Sequence, residues 1–107
     1  AIHSVVFAGF SSNALKDRIL DAQAEFVITA DVSQRAGKEI LLKQQVDEAV
    51  AQTNCVAKVL VVKSSEASCP WTTRDIDLLS LAQHANKECQ AEPMDSEDPL
   101  FILYTSG

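Results

Sequence analysis

The chain has 107 residues, 47% of them hydrophobic and 22% charged, and nine basic against fifteen acidic side chains give it a formal charge of −6. That profile fits one soluble globular unit; the length excludes a second full domain and leaves room for one modest core rather than a large enclosed catalytic site. With a sequence pI near 4.7, no broad positive face is expected to displace counterions, which argues against nucleic acid and anionic membranes as partners.

In chain order, Ile2 to Ala8 is a nearly continuous apolar run and predicts a strand that stops at Gly9. Ser11, Ser12 and Asn13 offer N-caps for a helix whose apolar stripe is Leu15, Ile19 and Ala22. Glu25 to Ala30 predicts a second strand, and Asp31 to Lys38 a turn. Leu42, Val46, Ala49 and Val50 repeat at i, i+4, i+7 and i+8, which predicts a second helix. A third strand is expected over Ala57 to Lys63. Pro70 then precedes an expected helix from Thr73 to Glu88, with Thr72-x-x-Asp75 as a capping box and Ile76, Leu79 and Ala82 along one side. Glu88 to Asp98 reads as a solvated acidic loop, and Pro99 to Tyr104 as a last strand running into Thr105-Ser106-Gly107.

The strands are apolar almost throughout, as expected when both faces of a sheet are covered. Strands alternating with helices predict an α/β fold with a mostly parallel sheet and crossover helices, one unit over residues 1–107 without internal repeats. Cys55, Cys69 and Cys89 are odd in number and lack Cys-x-x-Cys spacing, so free thiols in a reducing, intracellular compartment are expected. The longest apolar runs, Val56 to Val62 and Leu100 to Tyr104, fall short of the ~20 residues a membrane span requires. The chain starts without Met or a basic leader and stops on a turn, so it reads as an excerpt of a longer one.

Ligands of such folds bind beyond the carboxyl ends of strands, which singles out Ala8 to Ser12, Asp31 to Lys38, and Thr105 to Gly107. Arg35-Ala36-Gly37-Lys38 sets two cations around a small pair, an arrangement suited to a phosphate monoester. Charge-assisted contacts of that kind contribute roughly 1.5–3 kcal/mol each. Spacing alone does not separate this from a surface turn with two solvated cations. Gly9 either admits a ligand or supplies a positive φ before the helix. Tyr104-Thr105-Ser106-Gly107 brings three hydroxyls and a glycine to a strand end, where a phosphate-cradling loop would begin. His3 and His84 fit no nucleophilic triad, and Trp71 reads as packing beside Pro70.

The stretches Ala1 to Ser11, Val27 to Asp31, Arg35 to Lys38 and Asp95 to Gly107 together resemble the acetyl-coenzyme A synthetases, within the adenylate-forming ligases. The phosphate loop of that family reads Tyr-Thr-Ser-Gly followed by Ser-Thr-Gly-Lys-Pro-Lys-Gly, and this sequence stops inside it. The resemblance implies a piece of the large N-terminal domain of an enzyme that makes acetyl-AMP and pyrophosphate from acetate and ATP with magnesium, then passes the acetyl group to coenzyme A. It implies that Thr105, Ser106 and Gly107 open the ATP phosphate loop. It also implies that Arg35, Ala36, Gly37 and Lys38 hold the phosphorylated ribose and adenine of coenzyme A, with Gly9 leaving room. Lys38 stands where Arg is common, keeping the charge without the planar fork, and Ala8 stands where a first glycine is usual. Asp77-Leu78 falls where relatives often carry paired tryptophans. No catalytic residue and no metal ligand is assigned to the chain, and alone it is expected to be inactive. A cytoplasmic location is expected, with mitochondrial matrix and nucleus as alternatives, and an apolar face left open predicts self-association. Two rival readings are a free-standing non-catalytic coenzyme A or nucleotide-binding module and a propionate-preferring ligase.

Overall fold

The computed structural model describes residues 1–105, and the fold is α/β with parallel sheets, as the pattern predicts. The first helix, α1 (Ser12–Ala22), starts where a cap was expected: Ser11 is extended and its Oγ accepts from the Ala14 N–H at 3.1 Å. Gln23 closes it in the left-handed region at φ 49°, handing its own N–H back to the last turn. Two strands follow with a helix between them: β2 (Phe26–Ala30), α2 (Leu42–Val50) and β5 (Lys58–Val62). β2 and β5 pair in parallel with Val27 opposite Val59 and Thr29 opposite Val61. Ile19, Val46, Ala49, Val50, Val56, Val59 and Val61 form the core, so the two helical stripes read from the sequence meet on this pair of strands.

Three expectations change in the structure. The first and last strands shorten to β1 (His3–Ser4) and β7 (Phe101–Ile102), which pair in parallel as a separate two-stranded sheet. Val5, Leu100, Phe101 and Leu103 around them are exposed. Their runs are apolar enough for a longer strand, but none of the described residues covers them. The turn between Asp31 and Lys38 is in fact a hairpin, β3 (Ser33–Arg35) against β4 (Lys38–Ile40). Its two loop residues, Ala36 at φ 51° and Gly37 at φ 75°, both take the positive φ that a two-residue hairpin loop demands.

The third helix expected over Thr73 to Glu88 is replaced by β6 (Asp75–Asp77) followed by the short α3 (Leu78–Gln83). The Thr72-x-x-Asp75 pair does form reciprocal bonds, Thr72 N–H to Asp75 Oδ2 at 2.8 Å and Asp75 N–H to the Thr72 carbonyl at 3.1 Å. They close a turn that feeds a strand, because Ile76 pairs with Leu60 and completes a parallel sheet of order β2-β5-β6. The true helix cap is Asp77, whose Oδ1 accepts from the Leu79 N–H. Ala85 to Leu100 is exposed coil, which agrees with the acidic loop read there.

Candidate functional site

β1 and β7 run in the same direction, so their carboxyl ends deliver the Gly9 turn and Thr105 to one end of their sheet. The Gly9 turn is closed by the Phe10 N–H on the Phe7 carbonyl at 3.3 Å, with Gly9 at φ 97°. The β3–β4 hairpin reaches this turn: Arg35 Nη1 donates to the Ala8 carbonyl at 3.3 Å. A Cβ placed on Gly9 would lie 3.1 Å from that same Nη1. Glycine therefore answers two needs, a backbone that side-chain-bearing residues rarely adopt and a close guanidinium. Arg35 and Lys38 are direct partners across the hairpin neck, which puts both cations on one face of the ribbon.

The structure thus brings Gly9 to Arg35, Ala36, Gly37 and Lys38, from which it is far removed in the sequence. The Ala8 bond uses one of the five guanidinium N–H groups of Arg35 and leaves the others for a ligand. Thr105 is exposed, and Ser106 and Gly107 lie outside the described residues. Tyr104 was read as one hydroxyl of the loop, but its Oη donates to Asp21 Oδ2 at 2.6 Å and is directed to α1. That bond, with desolvation and the Asp21 charge, raises the phenol above its ordinary value against the opposing effect of Arg18.

Two buried ionic knots were not legible in the sequence. Asp31, at the carboxyl end of β2, is buried, and its carboxylate accepts four hydrogen bonds. Oδ1 takes the Val32 N–H, the Ser64 N–H and the Ser64 hydroxyl, and Oδ2 takes the Ser65 N–H. Burial alone would raise its pKa; the bonds from Ser64, Val32 and Ser65 outweigh burial and hold it well below the usual carboxylate range. The knot ties the ends of β2 and β5 where the arginine-bearing hairpin departs. The available signal was an acid directly after one parallel strand and a serine pair one residue beyond the other.

The second knot is Lys43, 1% exposed, whose Nζ lies 2.6 Å from Asp47 Oδ1 and 2.8 Å from Asp75 Oδ2 and donates to the Pro70 carbonyl at 3.2 Å. Burial alone would lower this amine, but the bonds and charges of Asp47 and Asp75 overcome it and raise its pKa. Its i,i+4 spacing to Asp47 was visible; its burial against β6 was not.

An open cleft of ≈ 300 Å³ lies beside the Gly9 turn, lined among others by Phe7, Phe10, Arg18, Phe26, Ile28 and Val46. Its largely apolar lining suits packing against another apolar surface better than a nucleotide phosphate. Among the described residues no three His, Cys, Asp or Glu side chains converge as metal ligands, and no helix is long and apolar enough to cross a membrane.

Comparison with known proteins bears on the family and the fold. The model of the AMP-binding enzyme family matches residues 1–107. The chain is 52% identical over 107 residues to the acetyl-coenzyme A synthetase of Syntrophus aciditrophicus (strain SB), covering 99% of this chain and 16% of that protein. It is 55% identical over 108 residues to acetyl-coenzyme A synthetase 2 of Pseudomonas putida, covering 100% of this chain and 17% of the relative. The chain thus spans about one sixth of the curated relatives it matches. The crystal structure of Brucella canis acyl-CoA synthetase superposes with a TM-score of 0.70 at 21% identity, over 100% of this chain and 17% of that one, a likeness of fold alone. The parallel strands, the Gly9 turn and the hairpin it meets all lie within the matched stretch, and the chain belongs to the AMP-binding enzyme family.

Proposed function

We propose that this chain is the part of an acetate–CoA ligase that grips the nucleotide end of coenzyme A and opens the ATP phosphate loop. The contact between Arg35 and the Gly9 turn carries this reading, because it assembles two separate segments into one exposed cationic notch. Arg35 and Lys38 supply charge to a ribose phosphate, Ala36 and Gly37 present bare backbone, and Gly9 leaves room above its turn for the Arg35 guanidinium. Thr105, Ser106 and Gly107 are assigned to the phosphate loop by the sequence motif, and the names of the relatives support acetate as the acyl substrate.

In the whole enzyme, acetate oxygen attacks the α-phosphorus of ATP and expels pyrophosphate; the thiol of coenzyme A then attacks the acetyl carbonyl carbon and expels AMP. Adenylation turns a poor leaving oxygen into a good one, and the phosphate loop stabilises the charge that develops. Magnesium would accompany ATP, but the described residues offer no ligand cluster, so no step here is assigned to it. The three cysteines are unpaired, and a reducing, cytoplasmic setting belongs to the same proposal. The test is acetate-dependent ATP–pyrophosphate exchange and acetyl-CoA formation by the full-length protein, with propionate in parallel. Robust acetate turnover is expected from the full-length protein and none from the 107-residue chain alone; no acetate-dependent exchange in the full-length protein would overturn the assignment.

The same reading leaves an apolar surface for the rest of the enzyme to cover. β2 is an outer strand of its sheet, with Phe26 60% and Ile28 68% exposed beside the cleft. In isolation that face is expected to pair with itself. Sedimentation velocity at rising concentration should show dimers or larger species; a strictly monomeric boundary at the highest concentration would count against it.

A further inference from the structure

The β1–β7 ladder covers two residue pairs, His3 with Phe101 and Ser4 with Ile102. Backbone pairing therefore ends well before Gly9 on one strand and before Thr105 on the other. What spans the gap is a side-chain clamp on α1. The Arg18 guanidinium carbon lies 4.6 Å from the Phe10 ring centroid and 5.0 Å from that of Tyr104. One turn along the helix, Asp21 accepts the Tyr104 hydroxyl proton at 2.6 Å. Phe10 directly follows Gly9, and Tyr104 directly precedes Thr105. Phe10 is braced in turn by an edge-on contact with Phe7 at 6.2 Å.

We propose that Arg18, together with Asp21, is a positioning residue that sets the spacing between the Gly9 turn and the start of the phosphate loop. The inference rests on the ligase reading, in which these two segments hold coenzyme A and ATP. A planar, delocalised cation suits the task, because it can engage two aromatic rings at once, whereas an ammonium is a hydrated point charge that suits one. Asp21 fixes the tyrosine ring by its hydroxyl, so Tyr104 is held at both its face and its tip. A cation on an exposed helix is ordinarily a solvated ornament; here the two rings it touches belong to the two segments the chemistry needs in register.

Two measurements test it. In the full-length protein the ionisation of Tyr104 is read by ultraviolet absorbance as the difference between the wild type and Tyr104→Phe, and each further variant is compared on the same footing. Arg18→Ala removes a neighbouring cation and should move that titration to higher pH, whereas Asp21→Asn removes the acceptor and a negative charge and should move it lower. A titration unmoved by either variant means the clamp does not exist and overturns the proposal. In the full-length protein, Arg18→Ala should raise the KM for ATP in pyrophosphate exchange and the KM for coenzyme A in thioester formation, each by about tenfold. Arg18→Lys should recover less than half of either effect. Unchanged KM values in a protein that expresses and melts like the wild type would overturn the positioning role. If the unaltered protein shows no acetate-dependent exchange, the ligase reading fails and the positioning role falls with it, while the tyrosine titration still reports whether the clamp forms.

Discussion

On the proposed ligase reading, replacing Arg35 by alanine in the full-length protein should raise the KM for coenzyme A by about 10- to 100-fold, the ~1.5–3 kcal/mol of one lost charge-assisted contact, and spare acetate-dependent pyrophosphate exchange. The split follows from position. Arg35 sits on a hairpin against the Gly9 turn, and its side-chain hydrogen bond among the described residues goes to the Ala8 carbonyl. The first half-reaction needs no coenzyme A, so it does not register the loss. Lysine at this position should restore little, because its single ammonium cannot both brace the Ala8 carbonyl and present a fork to a phosphate. Gly9→Ala should act on the same measurement from the other side. Its Cβ would press on the guanidinium at 3.1 Å while the backbone is held at φ 97°, so arginine and turn must both shift. Steady-state thioester formation at saturating ATP and acetate, beside isotopic exchange without coenzyme A, separates the two half-reactions. Equal loss of both from Arg35→Ala would remove coenzyme A from this notch.

The parts of this geometry that were legible in the sequence are those with local causes. The Ser11 cap, the stripe of α1, the stripe of α2 and the apolar run of β5 depend on neighbours within a few residues, and each lies where it was read. Gly37 between the cations also carried its own signal, since it takes the positive φ of the loop at no steric cost, whereas Ala36 adopts it against the preference of a residue with a Cβ. What escaped depends on distant partners. Ser33 to Ile40 has too few apolar residues to announce a hairpin, and Asp75-Ile76-Asp77 is a strand because Leu60 and its neighbours supply the ladder. Arg18 and Lys43 are cations on helices with nothing in the neighbouring sequence to name their distant partners. One is captured by two aromatic rings, and the other is buried by a strand that the sequence had assigned to a helix. The misplaced third helix and the missed lysine knot are thus one error, since Asp75, the fully buried partner of Lys43, lies on the strand that was not foreseen.

That knot sets the second large effect. Lys43→Met should cost about 3–5 kcal/mol of unfolding free energy, since it leaves the Asp75 carboxylate, whose side chain is 0% exposed, buried without its cation. Against a total of about 5–15 kcal/mol for a domain of ordinary stability, this is a severe loss. Part of it should return when Asp75→Asn is added, because no unpaired charge then stays inside and an amide oxygen can still accept the Thr72 N–H. The pH dependence follows from opposite signs at the two knots. Lys43 has its pKa raised in the folded state, so its contribution is complete below its unfolded value of about 10.4 and fades as pH climbs through the higher folded value. Asp31 has its pKa lowered, so its contribution is complete above its unfolded value of about 3.9 and fades as pH falls toward the folded value. Urea unfolding of the chain across pH should therefore show a plateau with an acid limb that Asp31→Asn flattens and an alkaline limb that Lys43→Met flattens. A Lys43→Met chain as stable as the wild type at neutral pH would mean that water reaches Asp75 and the knot is not closed in solution.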